Sequence, residues 1–356
     1  MPLVAHRPLE SLQRIQAEGH EVLTIERANR QHIRELHIGL LNMMPDGALR
    51  ATERQFLRLI GNSNRIAQIY VHLFTVNGVP RSPEMQHYIE EHYEKFDDLK
   101  REGLDAIICT GTNPVYPNLS QEPYLHEVKQ VFDWADKNVV SVLCSCLASH
   151  LALHHFYDID RVRARKKRFG VYTHRVVDTY HPLLSNLNTR FDMPHSRWNG
   201  VSESALREKG LPILVRDDGG EIALACSQDG IRQVFFQGHP EYDKLSLLKE
   251  FKRDLSDYLQ GKIDYASYLP EHYFSPRGIE LIEQFLSSGK EMAYFPEAEL
   301  EQEIDMTWGD TAKALFANWL GLVYQLTHFD RHQQFMEGID PSAPLVSLKA
   351  IQSQRL

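Results

Sequence analysis

The chain has 356 residues, 42% of them hydrophobic and 24% charged, which suits a folded globular protein with room for a sizeable core. A net charge of −9 leaves no basic excess to cover phosphates, so a general nucleic-acid binder is not expected. No apolar run approaches bilayer length, the opening MPLVAHRPLE lacks a signal-peptide layout, and four scattered cysteines form neither a disulfide framework nor a metal-type CxxC pair. These features together fit a reduced, cytoplasmic enzyme.

In chain order, residues 1–35 are polar and helix-leaning and read as an N-terminal extension. Leu36–Met44 is the first strand. Pro45-Asp46-Gly47 marks a turn, and Arg50–Ile60 has helical spacing with Gly61-Asn62 as its stop. Ala67–Val76 is a second strand, residues 77–103 read as a loop followed by a helix, and Asp105–Gly111 is a third strand. Thr112–Gln121 is a loop, and Tyr124–Lys137 is an amphipathic helix leading to a fourth strand at Val139–Leu143. This alternation predicts an α/β fold, an open and mostly parallel sheet with helices on both faces. Ligands of such sheets bind beyond the carboxyl ends of the strands, so the loops at Asn42–Gly47, Thr110–Asn118 and Cys146 should converge on one crevice.

Beyond residue 157 the pattern is less regular. Arg161–Arg168 carries six basic residues in eight, read mostly as a solvated face. Phe169–Val177, Ile213–Asp218, Glu221–Ser227 and Gln233–Gln237 read as strands, and Leu245–Leu259 as a helix. Residues 260–300 are loop-rich, and Thr307–Leu326 is a closing helix. The expected organisation is an extension over 1–35, a catalytic α/β domain over 36–260, and a C-terminal loop and helical extension over 261–356.

Two stretches carry chemistry. After Val139–Leu143 the pattern switches within three residues to helical spacing through Leu147, Leu151, Leu153 and Phe156, with Cys146 at the junction. A sharp strand-to-helix turn exposes a nucleophile, and the helix start offers free N–H groups that favour a thiolate and a developing oxyanion. By itself this stretch is equally well read as two core cysteines, Cys144 and Cys146. The second stretch is Gly238-His239-Pro240-Glu241 at the end of the last strand. His239 and Glu241, two apart, project the same way, and an imidazole held by a carboxylate is the pairing that activates a thiol. With both stretches present, a Cys146–His239–Glu241 triad is the better reading. His150, His154 and His155 have helical spacing but no completing ligand nearby, so no metal site is expected.

VVSVLCSCLASHLALHHFYDI and FFQGHPEYD resemble the homoserine O-acyltransferase family that has the class I glutamine amidotransferase-like fold. LLNMMP, TERQFLRLIGNS, DAIICTG, FGVYTH, PHSRW, KEFKRD and FANWLGLVYQLTHFD extend the resemblance over nearly the whole chain. It implies a flavodoxin-like strand order, a homodimer, and no permanently bound cofactor, with acyl-CoA as co-substrate. Cys146 matches the nucleophile that takes the acyl group as a thioester, His239 the general base and Glu241 its partner. Lys167 matches a substrate-contacting lysine, and Ser196 and Arg253 match residues at the homoserine and acyl sites. The N–H of Leu147 is the expected oxyanion donor. The implied activity is O-acylation of homoserine on the route to methionine. Homoserine or serine O-acetyl transfer, a glutaminase or amidase, and a non-catalytic binding protein are the alternatives.

Three departures stand out. The family's lysine after the MP of the first loop is replaced by Asp46-Gly47, leaving Arg50 as a candidate cation. Leu147-Ala148 follows the nucleophile where an aromatic and a small residue are usual. Val115 stands where Gly or Glu separates succinyl from acetyl users. With no carboxylate guarding the site and Arg253 able to pair with one, succinyl is favoured.

Overall fold

The structure, a computed structural model, describes residues 3–64, 66–263, 269–289 and 291–353. In chain order its strands are β1 (Val4–Ala5), β2 (Leu23–Thr24), β3 (Glu35–Leu41), β4 (Gln68–Phe74), β5 (Ala106–Cys109), β6 (Ser141–Ser145), β7 (Val162–Val176), β8 (Arg190–Gly200), β9 (Ile213–Arg216), β10 (Ile222–Cys226) and β11 (Gln233–Phe236). β1 and β2 pair as a small parallel sheet, and the other nine form one sheet ordered β4-β3-β5-β6-β11-β10-β9-β7-β8.

The sheet has two halves. β4, β3, β5, β6 and β11 are parallel neighbours. Renumbered among themselves they run 2-1-3-4-5, the flavodoxin-like order. β10, β9, β7 and β8 add an antiparallel half.

Alternation within the strands builds the core. Ile38, Leu40, Ile108, Leu143, Val234 and Phe236 point to one face, where they meet the helices Asp46–Ser63 and Gly309–Leu326. Leu41, Ile107, Cys109, Val142, Cys144 and Phe235 point to the other, against Leu125–Asn138 and Leu147–Tyr157. Strands buried on both faces need apolar residues at every position, and these are the runs that the sequence makes legible. A third core joins Phe169 and Val171 of β7 to Leu248 and Phe251 of the helix Ser246–Leu259 and to Tyr273, Phe285, Phe295 and Trp308.

Several local expectations are corrected. The first-loop helix begins at Asp46 and runs through Gly61-Asn62 to Ser63, because tertiary packing of Phe56, Leu57 and Ile60 outweighs one glycine. Residues 77–103 hold two helices, Pro83–His92 and Phe96–Glu102. The basic run lies in β7, and its partner β8 contains the Pro194–Trp198 segment. Within 260–300, where loop was expected, Pro276–Ser288 is a helix capped by the Ser275 hydroxyl, with a further turn at Glu297–Gln302. Part of that expectation, 264–268, lies outside the described residues.

Gly170 shows why the antiparallel ribbon accepts a neighbour so closely. Its φ is +145°, and a Cβ there would sit 2.2 Å from the Glu271 carbonyl oxygen. The freed edge lets Glu271 N–H donate to the Phe169 carbonyl and Val171 N–H to the Glu271 carbonyl, both at 2.9 Å. Only glycine permits this approach without strain.

Candidate active site

β6 ends at Ser145, and the next helix starts at Leu147, so Cys146 is the whole turn. Its backbone is at φ +54°, ψ −113°, a region that side-chain-bearing residues rarely occupy. Such a conformation costs on the order of 1–3 kcal/mol and persists only when its surroundings enforce it. They do so here. Cys146 N–H donates to the Phe236 carbonyl of β11 at 2.8 Å. The Ser149 hydroxyl shares its one hydrogen between the carbonyls of Cys144 (2.9 Å) and Phe236 (2.8 Å), pinning the first helical turn to both strand ends.

His239 lies three residues beyond the end of β11, and its N–H donates to the Pro194 carbonyl of β8 at 2.8 Å. Its Nδ1 lies 2.8 Å from Glu241 Oε1, so the carboxylate accepts Nδ1–H and leaves Nε2 for other work. The imidazole is buried and close enough to the Cys146 side chain to feel its charge. Burial would lower its pKa, but the Glu241 carboxylate and Cys146 outweigh burial together and raise it well above the ordinary value. The three expected triad members therefore meet, 93 positions separating the sulfur from the ring. Ser145, which the sequence reading passed over, adds an Oγ contact to Glu241 Oε1 at 3.4 Å.

The N–H of Leu147 faces Gly111, where a Cβ would come within 3.1 Å of it. A side chain at 111 would crowd the space in front of that N–H. Gly111 belongs to the loop after β5, which Thr110 ties to the first loop by accepting Met43 N–H at 2.8 Å. The three loops thus converge as expected. Arg50 does not fill the lysine's place. Its guanidinium lies 4.2 Å over the Tyr88 ring and 3.4 Å from Glu10, toward the N-terminal helix Glu10–Ala17. The cation beside the first loop is Arg81, which donates to the Met44 carbonyl at 2.5 Å and lies 3.3 Å from Asp46.

Beside the triad lies a charged network. Tyr242 stacks on His239 with ring centroids 4.3 Å apart. Its hydroxyl donates to Glu250 Oε1, and Ser196 Oγ donates to Glu250 Oε2, both at 2.6 Å. Lys167, buried on β7, reaches Asp254 at 3.1 Å and Glu250 at 3.9 Å. Arg253 forks onto Asp254 at 2.6 and 2.9 Å while its side chain stays 58% exposed. Lys167, Ser196 and Arg253 are therefore gathered around Glu250 and Asp254. The sequence reading missed both carboxylates and Tyr242, although all three stand in or beside the GHPEYD and KEFKRD segments it singled out.

Other sequence candidates fall elsewhere. Val115 is 66% exposed on the loop after β5, four residues beyond Gly111. His154 and His155 pair with Asp160 (3.1 Å) and Asp133 (2.7 Å). His150 is buried and its pKa is pushed down to about 3 by burial and then by Arg197 and Arg161. His195 lies under the site, its pKa well below the usual range from burial and then Arg197. Arg197 Nε donates to its Nδ1 at 3.3 Å, so its Nε2–H points to His174 Nε2 at 3.1 Å.

The sequence profile described as homoserine O-succinyltransferase matches residues 2–329. The chain belongs to this family. A homoserine O-succinyltransferase of Cardiobacterium hominis is 65% identical over 349 residues, covering 98% of this chain and 100% of that one. A Methylobacter tundripaludum relative of the same name is 48% identical, with 97% and 99% covered. A solved glutamine amido transferase from Methylobacillus flagellatus is similar at a TM-score of 0.43 and 11% identity, over 81% of this chain and 95% of that one. The resemblance read from the sequence motifs and the family match agree, and the family's named activity is an acyl transfer.

Proposed function

We propose that the protein transfers a succinyl group from succinyl-CoA to the hydroxyl of homoserine, on the route to methionine, through a thioester on Cys146. The observation that carries this reading is His239 held between Cys146 and Glu241, beside the Tyr242–Glu250–Ser196 network.

In the first half-reaction the Cys146 sulfur attacks the acyl thioester carbonyl, the oxyanion rests on Leu147 N–H, and the CoA sulfur leaves with the proton that His239 carried. Acylation removes the negative charge that Cys146 contributes to raising the His239 pKa. The imidazole, having given its proton to CoA, then stays neutral and is free to accept the homoserine hydroxyl proton in the second half-reaction. That hydroxyl attacks the Cys146 thioester, the C–S bond breaks, and the thiolate is restored. Glu241 keeps the tautomer fixed throughout.

Homoserine carries an ammonium and a carboxylate. Glu250 and Asp254 suit the first, and Lys167 and Arg253 suit a carboxylate, with Ser196 as a neutral donor. Arg253 is the exposed member and is assigned to the succinyl carboxylate. Arg81 is assigned a positioning role, holding the first loop against Gly111 and Leu147. The enzyme works as a cytoplasmic homodimer, with acyl-CoA as co-substrate rather than a resident cofactor.

Intact mass after mixing with succinyl-CoA or acetyl-CoA tests this reading. A succinyl adduct is expected on the wild type and none on Cys146→Ala; labelling that persists in the variant overturns the thioester route. A donor-by-acceptor grid, succinyl-CoA and acetyl-CoA against homoserine and serine, checks the assignment, and preferential acetyl transfer would overturn the role given to Arg253.

A further inference from the structure

Far along the sheet from Cys146, on its outer strand β4, three side chains from separate segments converge. His6 follows β1, His72 is in β4, and Glu94 lies between two helices. One ligand atom from each lies within 4.8 Å of the other two, and among the described residues no other group of three does this. His72 and Glu94 side chains are 5% and 4% exposed, and His6 is 13% exposed.

Proton bookkeeping in this cluster leaves a gap. His6 Nδ1 lies 3.2 Å from the Val4 carbonyl, which can only accept, so Nδ1 carries the hydrogen and Nε2 presents a lone pair. That Nε2 has no hydrogen-bond partner and lies 3.8 Å from Glu94 Oε1, another acceptor. His72 Nε2 is 2.9 Å from His37 Nδ1, and His37 Nε2 is 3.1 Å from the Glu35 carboxylate. His37 Nε2 has no hydrogen-bond partner there, so the His37–His72 pair is free to adopt the tautomer in which His72 Nε2–H donates to His37 Nδ1. In that tautomer His72 Nδ1 presents a lone pair beside Glu94 Oε1, 3.0 Å away, and with the unpartnered His6 Nε2 three electron pairs converge on one point. Arg7 neutralises Glu94 only from the far side, 3.1 Å from Oε2.

We propose that His6 Nε2, His72 Nδ1 and Glu94 Oε1 form a binding site for a divalent transition metal of the Zn2+ class, which ties the segment before β2 to the edge of the main sheet. Two imidazoles and one carboxylate are a Zn2+ donor set, with water completing the fourth position. Tetrahedral Zn2+ with ligand bonds of about 2.0–2.1 Å holds its donor atoms about 3.3 Å apart. The 3.0 and 3.8 Å separations to Glu94 bracket that value, and the three atoms all lie within 4.8 Å of one another, so a bound ion draws the two imidazoles together. His37 is the orienting partner that a ligating imidazole needs on its other nitrogen.

The test is metal content and affinity on the full chain, stripped with chelator and titrated with Zn2+, and with Co2+ for its visible absorption. One equivalent is expected in the wild type and in Cys146→Ala, which removes the thiol beside His239. His72→Ala and His6→Ala should each weaken affinity by at least about tenfold. Zn2+ should raise the thermal midpoint of the wild type and leave that of His6→Ala unmoved. His6 is on the terminal segment and outside the hydrophobic cores, so this variant keeps the test sound if His72→Ala fails to fold. No binding to the wild type, or binding unchanged by His6→Ala, overturns the proposal, the former leaving a proton as the shared occupant.

Discussion

The two halves of the sheet contribute differently to the site. The parallel half supplies the turn at Cys146 and the loops after β3 and β5, each one strand-end away from the next. The antiparallel half supplies Lys167 and Ser196 on β7 and β8, and its third core seats the helix bearing Glu250, Arg253 and Asp254. His239 stands at the seam, rising from the last parallel strand and anchored to Pro194 of β8. The difference is one of stiffness and charge. The turn is locked by backbone bonds between adjacent strands, whereas the charged network is a set of paired side chains from distant segments. Those side chains already satisfy one another, so the zwitterionic ligand proposed for this network would have to exchange ion pairs rather than create them.

If that division is right, variants in the two halves separate in their kinetics. Cys146→Ala should abolish transfer, by about 10,000-fold or more in kcat, with the fold intact by circular dichroism. Glu241→Gln keeps the shape but no longer stabilises the imidazolium, and should cost roughly 100- to 10,000-fold in kcat with a small effect on KM. Glu250→Gln, in the other half, should instead act mainly on KM for the acceptor, by roughly 10- to 100-fold, since it weakens bonds to a charged group. A kcat-only effect of Glu250→Gln would erase the distinction between the halves.

Gly170→Ala sharpens the structural side of the comparison. The methyl would meet the Glu271 backbone at 2.2 Å, so it should destabilise the fold by roughly 2 kcal/mol or more in urea unfolding. The most gradual effect expected, spread over several pH units, is on the pH profile of stability. His174 and His150 have folded pKa values lowered to about 4 and about 3 by burial first, so both are neutral in the fold and charge on unfolding. Their stabilising effect is complete above pH about 6.5 and is lost as pH falls toward those lower values, each group adding at most about 1.4 kcal/mol per pH unit. His239 runs the other way, because its folded pKa is raised. His174→Phe should flatten the loss of stability between pH 6.5 and 4, and an unchanged slope would show that the histidine is not buried neutral.

The sequence by itself determined the parallel half. Strands buried on both faces leave unbroken apolar runs, and the switch to helical spacing at Cys146 marks the turn that carries it. The HxE spacing was enough to suggest that His239 and Glu241 pair, since residues two apart on extended backbone share a side. Only the tertiary structure decided the rest. β8 is only partly apolar and the first half of β7 is the basic run, so neither stretch has the pattern that marks a core strand, although Phe169–Val177, β9 and β10 were legible. Glu250 and Asp254 look like the solvated face of an amphipathic helix until that helix is laid against Lys167 and Ser196. The convergence of His6, His72 and Glu94 has no sequence signature, because the partners are separated by 66 and 22 positions and meet only when the first strand reaches the sheet edge. Short-range periodicity fixes which way a side chain points from its own element; which charges then face one another depends on long-range packing, and that is written in no local pattern.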